Sequence, residues 1–209
     1  SSKRYRVFTD FVEWAHAQNK AVCGYYFSEE FRQVADLDFH QAGVSRLLDL
    51  QELSWRGEAH REFRRARNVS SRDRLVFREI RFSEKRQGFF RRLSQHYQHW
   101  LSHKNAPRIG FLLSDPGSIQ NQFLSEERFF IVQREGLWQA IVSLVPFPKG
   151  YYADLMLQLP GAHKLALDSL ITHLAFQLKA EGSQILSLGF CPFIVREPKT
   201  LVEKLMVLG

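Results

Sequence analysis

The feature that most constrains the fold is an ordered series of apolar segments in the second half of the chain. Four segments follow a strand-like pattern and one a helical pattern, in the order strand, strand, strand, helix, strand: residues 128–134, 137–146, 151–159, 163–180 and 184–188. The pair Glu135-Gly136 favours a hairpin turn between the first two strands. This mixed order of strands and helix predicts an α/β fold with mixed, partly antiparallel sheets.

The first half of the chain also mixes helical and strand-like patterns. Apolar spacing and cap signals predict helices over residues 5–18, 28–34, 57–74 and 83–102 and strands over 21–27, 37–42, 46–50 and 75–82. A short helix over 200–207 is predicted at the C-terminal end. No linker rich in Pro, Gly or Ser separates the parts. We therefore predict two halves, residues 1–82 and 106–209, bridged by a long helix within residues 83–105.

Composition excludes several classes of protein. Hydrophobic residues make up 44% of the chain and 18 residues are Phe, which excludes a disordered chain. The two cysteines, Cys23 and Cys191, cannot form a disulfide framework, and this favours a reducing cytoplasm. The apolar runs are shorter than the roughly 20 residues that span a bilayer, and the first residues do not follow a secretory signal pattern. We expect a globular cytoplasmic protein.

Positive charge is concentrated in one segment. The net charge is +7, yet residues 56–92 contain thirteen Arg or Lys against five Asp or Glu, an excess of +8, so the rest of the chain carries about −1. Such a block attracts phosphates in a salt-dependent manner. The candidate partners are RNA, DNA, an anionic lipid surface or a small acidic ligand. The alternative interpretation is a solvated helix face without a partner.

Metal and thiol chemistry have weak support in the sequence. His96, His99 and His103 share one face of the predicted long helix, but no fourth ligand accompanies them, so a polar helix face is the favoured interpretation. Cys191 has no base nearby in the sequence and is interpreted as a buried apolar residue. We predict no metal site and no cofactor. The sequence indicates no particular oligomeric state.

Short motifs follow one another in a recognisable order along nearly the whole chain. They are Glu52 with Gly57, Arg64-Arg65-Ala66-Arg67-Asn68 with Arg72, Leu75-Val76-Phe77, Arg128-Phe129-Phe130, Asp154-Leu155-Met156, Leu167-Asp168-Ser169-Leu170, Glu181-Gly182 and Leu188-Gly189-Phe190-Cys191-Pro192. The series resembles the C-terminal catalytic domain of phosphatidylglycerol lysyltransferase and its alanyl relatives, the multiple peptide resistance factor family.

The resemblance implies a fold and an activity. It implies two tandem GNAT-like halves joined through a basic helix. It also implies an enzyme that takes an aminoacyl group from aminoacyl-tRNA and places it on a hydroxyl of an anionic phospholipid such as phosphatidylglycerol. Such a protein works in the cytoplasm, at the inner face of the cytoplasmic membrane or within a longer membrane protein.

The resemblance also suggests roles for individual residues. Asp154 would orient or deprotonate the acceptor hydroxyl, although a salt bridge to a neighbouring arginine is an equally open interpretation. Asp168 would cap or orient the start of the crossover helix. A set of arginines would hold tRNA or lipid phosphates: Arg64, Arg65, Arg67, Arg72 and Arg128.

Two departures from the family pattern keep other functions open. Leu157 stands where the family's Asp-Leu-Met-Arg motif has arginine, and the chain stops at Gly209 before the family's lysine-containing motif, as in a fragment or a degenerate relative. One alternative is a non-catalytic module that binds RNA or an anionic membrane. A second is an acyl-CoA N-acyltransferase, because residues 158–163 partly match a pyrophosphate-binding turn, with Pro160 removing one donor.

Overall fold

A computed structural model of the chain describes residues 2–22, 40–81, 87–103, 127–192 and 194. The chain forms two compact units, one of residues 45–189 and the other of residues 1–44 with 190–209. The predicted strand over 21–27 lies largely outside the described residues, and that over 37–42 lies partly outside them. The predicted helices over 28–34 and 200–207 lie wholly outside them.

The smaller unit contains helix α1, Ser2–Ala17. This helix confirms the prediction of a helix over residues 5–18. Ala15 is buried, whereas Val7, Phe11 and Trp14, which follow one another at helical spacing, are exposed. Lys20 lies over the Trp14 ring, with its Nζ atom 5.8 Å from the ring centroid.

The larger unit is built on a six-stranded sheet in the order β1-β6-β5-β4-β3-β2. The strands are Gly43–Asp49 (β1), Val76–Ile80 (β2), Arg128–Arg134 (β3), Leu137–Phe147 (β4), Gly150–Gln158 (β5) and Ile185–Pro192 (β6). Strands β2 to β5 pair antiparallel and β5 pairs parallel with β6. The predicted mixed α/β fold is therefore confirmed. Two separate GNAT-like halves are not shown, because one sheet contains strands from both, and the predicted domain boundaries stay a prediction.

The described part of this unit contains three helices, Arg61–Arg72 (α2), Gln87–Ser102 (α3) and Ala166–Ala180 (α4). Helices α3 and α4 cover the two faces of the sheet, and α2 packs on α4. A single 3₁₀ turn, Glu58–His60, leads into α2. Helix α4 is the crossover between the parallel strands β5 and β6, a connection that parallel strands require. The hydroxyl of Ser169 in α4 donates to the carbonyl of Ala66 in α2 at 3.2 Å, and this buried bond fixes α2 against α4.

The central strands are buried on both faces. Phe130, Val132 and Val142 pack with Leu170 and Leu174 of α4 in one apolar cluster. The strand residues that alternate with them, Phe129, Ile131 and Ile141, point to the other face. They form a second cluster with Leu93 and Tyr97 of α3. Because successive side chains of a strand point to opposite faces, two-sided burial explains why β3 and β4 are almost continuously apolar.

Arg128, at the start of β3, connects this strand to β2 and to the end of helix α4. Its guanidinium donates to both oxygens of Glu79 in β2, at 2.7 and 2.9 Å, and to both oxygens of Glu181 at the end of α4, at 2.6 and 3.0 Å. The Arg128 side chain is only 20% exposed. These bonds raise the pKa of Arg128, with Glu79 the larger cause, and the bond from Arg128 lowers the pKa of Glu181.

Strands β5 and β6 pair over three residues only, Gly150–Tyr152 with Ile185–Ser187. The pair begins at Gly150, where the two backbones approach closely. A Cβ atom at position 150 would overlap the backbone carbonyl of Ile185, and that backbone cannot rotate away as a flexible side chain could. Only glycine therefore fits at the start of the parallel pair.

Replacing Arg128 by Met should destabilise the protein by about 2 kcal/mol, between the values for exposed and buried ion pairs. The depressed pKa of Glu181 contributes stability that is present above the ordinary Glu value of about 4.3 and is lost as pH falls through the folded value. The difference between wild type and Arg128→Met in urea unfolding should therefore narrow in acid. Arg61→Met, which breaks only exposed ion pairs, is the control and should change stability little. If Arg128→Met and Arg61→Met lost the same amount of stability, the two carboxylate pairs of Arg128 would not stabilise the fold more than an exposed pair does.

Gly150→Ala should destabilise the protein by about 1–3 kcal/mol because the added methyl group forces the β5 and β6 backbones apart. Gly88→Ala is the matched control, since Gly88 lies in α3 and a Cβ there meets open space. The control should be neutral or stabilising by up to about 1 kcal/mol, through higher helix propensity. Urea unfolding of both variants measures the difference, and an unchanged midpoint for Gly150→Ala would show that the pair tolerates a side chain.

Candidate functional site

The parallel pairing of β5 with β6 ends after three residues, and both strands are irregular just beyond it. On β5, Ala153 pairs with Leu144 and Leu155 pairs with Ser143, so Asp154 is the extra residue of a β-bulge. On β6, Gly189 has φ +88°, a left-handed conformation that favours glycine. Each irregularity lies two residues beyond the last paired residue of its strand, Tyr152 on β5 and Ser187 on β6. The parallel pairing therefore ends next to the predicted catalytic carboxylate, at a point where Gly189 of β6 still lies beside Ala153 of β5.

Asp154 is half-buried on this bulge. The ion pairs among the described residues do not include it, and Arg128, a neighbouring arginine of the sheet, is bound to Glu79 and Glu181 instead. A carboxylate so placed is available to accept a hydrogen bond from a ligand hydroxyl. Bulges re-aim side chains and are over-represented next to active sites.

Leu157, which replaces the family arginine, is 1% exposed. It packs in the apolar cluster between the sheet and α3, with Ile141 and Leu155 among its members. This part of the sheet face therefore presents hydrocarbon where the family motif has a guanidinium.

Several backbone amides of the turn between β5 and α4 already donate hydrogen bonds to groups of the protein itself. The amide of Ala162 donates to Leu159, that of His163 to the Gln139 side chain and that of Leu165 to the His163 ring. Gly161, with φ +76°, makes the turn possible. An acyl-CoA pyrophosphate needs a cradle of unbonded amides, so this geometry disfavours the acyl-CoA alternative.

Asp168 lies in the first turn of α4 and is exposed. Leu165, the capping residue before the helix, makes no side-chain cap. The carboxylate of Asp168 lies near the positive end of the helix dipole and stabilises the helix electrostatically. This placement agrees with the orienting role suggested for Asp168, which stays a prediction.

A shallow, open depression of about 630 Å³ lies on the exposed face of α2. Most of the residues that line it recur at helical spacing: Arg61, Glu62, Arg64, Arg65, Asn68, Val69 and Arg72. Four arginines against one glutamate give the lining a net charge of +3. The depression can therefore attract an extended anion.

The structure distinguishes between the predicted phosphate-binding arginines. Arg64 donates through Nη1 to the carbonyl of Gly57 at 2.6 Å, which ties the loop before α2 to the helix without neutralising the charge. Arg65 makes only an exposed pair with Glu62, at 3.4 Å. Arg72 makes two bonds to Asp73, at 2.9 and 3.1 Å. All three arginines line the depression.

Arg67 and Arg128 do not line the depression. Arg67 lies over the ring of Trp55, 4.3 Å from its centroid, and the same ring stacks on Phe176 at 3.6 Å. Arg128 is held by its two carboxylates. The sequence analysis missed Arg61 as a lining residue, although its spacing of four, seven and eleven residues from Arg65, Asn68 and Arg72 was a usable signal.

The described part of the chain offers little for a metal ion or for crossing a membrane. Residues 2–22, 40–81, 87–103, 127–192 and 194 contain no group of three His, Cys, Asp or Glu side chains arranged to hold a metal ion. In the same part of the chain, none of the helices has both the length and the apolar character needed to cross a bilayer.

Several solved structures share this fold. They include the C-terminal domain of a putative lysylphosphatidylglycerol synthetase from Agrobacterium fabrum, with TM-score 0.61, 24% identity and coverage of 72% of this chain and 47% of that chain. L-PGS from Bacillus licheniformis has TM-score 0.60 and 19% identity, with coverage of 77% and 48%. A conserved protein of unknown function from Bacteroides thetaiotaomicron has TM-score 0.63 and 11% identity, with coverage of 88% and 65%. At these identities the likeness establishes the fold alone.

The chain spans 47% to 65% of the length of these three proteins. A comparison with curated proteins gives no significant match. The family model described as "Phosphatidylglycerol lysyltransferase, C-terminal" matches residues 1–206, nearly the whole chain. The resemblance inferred from the motif order is thereby confirmed, and the chain belongs to the phosphatidylglycerol lysyltransferase C-terminal family.

Proposed function

We propose that this chain is an aminoacyltransferase domain, which moves an aminoacyl group from aminoacyl-tRNA to a hydroxyl of an anionic phospholipid such as phosphatidylglycerol. Its family membership supports a transferase that acts on a phospholipid. The observation that carries the site assignment is the position of Asp154, on a bulge next to the end of the parallel pairing of β5 with β6. The proposed site lies at this bulge, with the depression on α2 as the surface for the donor's phosphates.

The proposed reaction exchanges one ester for another. The acceptor oxygen loses its proton and bonds to the carbonyl carbon of the aminoacyl group, the bond from that carbon to the tRNA ribose oxygen breaks, and the ribose oxygen takes up a proton. Asp154 would accept or orient the proton of the acceptor hydroxyl. Its half-buried position keeps part of the carboxylate accessible, while the bulge holds the backbone in place.

The depression on α2 suits the donor better than it suits a single lipid headgroup. Arg61 and Arg72 are eleven residues apart, so they are separated by about 16 Å along the helix axis. This distance spans several phosphates of a nucleic acid strand but exceeds one headgroup. RNA backbones are bound by such rows of cations with little need for sequence recognition.

A second candidate function is a non-catalytic module that binds RNA through α2. The buried, apolar Leu157 favours it, because the guanidinium that the family motif supplies near Asp154 is replaced by core packing. Binding and catalysis make different demands on the chain: binding requires the arginines of α2, whereas transfer also requires Asp154.

Asp154→Asn should reduce transfer by at least about 100-fold, the usual contribution of a general base, with little change in melting temperature because the two side chains have the same size. The assay uses aminoacyl-tRNAs labelled in the amino acid with phosphatidylglycerol vesicles, and counts label in the organic phase. Glu135→Gln, at the exposed hairpin turn, is the matched control and should stay active.

Each outcome of this assay has a definite meaning. Retained transfer in Asp154→Asn excludes Asp154 as the base. No lipid label from the wild-type chain, with tRNA binding preserved, favours the binding module. Label in lipid identifies the acceptor directly.

Arg65→Ala should weaken the binding of every tRNA to a similar extent, whatever the RNA sequence. It should also reduce the slope of log affinity against log salt by about 1, because one phosphate contact is lost. Arg46→Ala removes the same charge from an exposed position on β1 and should leave the slope unchanged. Fluorescence anisotropy of labelled tRNA over a salt series measures both. Equal slopes for the two variants would show that net charge, rather than the depression, governs binding.

A further inference from the structure

Arg72 is the last residue of α2, and a chain of three side chains leads from it to the turn before α4. Arg72 donates through Nε and Nη2 to the two oxygens of Asp73. Asp73 Oδ2 lies 3.0 Å from Nε2 of His163, and both side chains are at most 20% exposed. The other ring nitrogen of His163, Nδ1, accepts from the amide of Leu165 at 3.2 Å.

The bond from the Leu165 amide to Nδ1 determines which nitrogen of His163 carries the proton in the neutral ring. Because Nδ1 accepts from a backbone amide, the ring proton is on Nε2, where it is donated to Asp73. Asp73 is thereby held from two sides, and the pair with Arg72 lowers the pKa of Asp73. The carboxylate stays ionised and fixed in position.

The pairing determines what Arg72 presents to the depression. A guanidinium has five N–H donors, of which Asp73 engages one on Nε and one on Nη2. The remaining donors, two on Nη1 and one on Nη2, belong to the edge of the fork that faces away from Asp73. A guanidinium held along one edge by a carboxylate is pre-oriented to bind a phosphate with the other.

We infer that His163 and Asp73 are positioning residues that hold Arg72 as a directional ligand for an RNA phosphate on α2. The inference deepens the proposed function and rests on it. Arg65, by comparison, has only an exposed contact with Glu62, so it supplies charge without a fixed direction. Arg72 is the lining arginine whose carboxylate partner is itself anchored by another element of the fold.

Two substitutions at position 163 distinguish two roles of His163. One role is to hold Asp73, and through it Arg72; the other is to accept the Leu165 amide within the turn. His163→Gln places an amide donor near the former Nε2 and so keeps the bond to Asp73. His163→Asn places an amide oxygen near the former Nδ1, which keeps the acceptor for Leu165 but is too short to reach Asp73. The probe is fluorescently labelled, uncharged tRNA, titrated with each variant in the wild-type and Arg72→Ala backgrounds.

We expect His163→Asn to weaken tRNA affinity about fivefold, the size of one hydrogen bond, and His163→Gln to restore most of it. In the Arg72→Ala background, neither substitution should change the affinity further. The inference is overturned if His163→Asn binds normally while His163→Gln is impaired, since His163 then serves only the turn. It is also overturned if the loss persists without Arg72.

The same titrations distinguish failure of the inference from failure of the proposed function. If Arg72→Ala weakens tRNA binding but the position-163 variants do not, only the positioning role is wrong. If Arg72→Ala leaves tRNA binding unchanged while Arg65→Ala weakens it, the inference is overturned and the donor surface stands. If both variants bind normally, α2 is not the donor surface. Phosphatidylglycerol vesicles form a parallel arm, and a loss confined to vesicle binding would assign the depression to lipid and overturn the inference.

Discussion

Burial of the central strands on both faces is the constraint on which the larger unit depends. A sheet whose side chains are apolar on both sides must be covered twice, and the parallel pair of β5 and β6 needs a long connection. Helix α4 meets both requirements, because it makes the crossover and covers one face. Helix α3 covers the other face. Helix α2 then packs on α4, and its outer face remains free to carry arginines.

The proposed site follows from the point at which this order breaks down. Antiparallel pairing holds β3, β4 and β5 together over most of their length, whereas β5 and β6 share only three paired residues. A bulge in one strand and a left-handed glycine in the other lie just beyond the end of the pairing. Asp154 is thus held half-buried at an irregular point of the sheet, beside the end of the parallel pair.

Sequence reasoning predicted the elements of the larger unit well because their periodicity reports burial directly. The helix over 163–180 and the strands over 128–134 and 137–146 are found nearly at their predicted bounds. The bulge at Asp154 could not be predicted, since its register depends on which residues of β4 lie opposite. The pairs of Arg128 could not be predicted either, because Glu79 and Glu181 lie 49 and 53 residues away. Contacts of that range depend on the finished topology.

The distribution of arginine partners explains how a crowded basic helix can be both stable and ready to bind. Exposed pairs such as Arg65 with Glu62 contribute little free energy, so an arriving phosphate can replace the carboxylate at small cost. Arg64 bonds a carbonyl, which holds the side chain but leaves its charge uncompensated. Arg72 differs from both, because its carboxylate partner Asp73 is also held by His163 of the turn before α4. The proposed binding surface thus combines exposed charge for attraction with one donor edge held for direction.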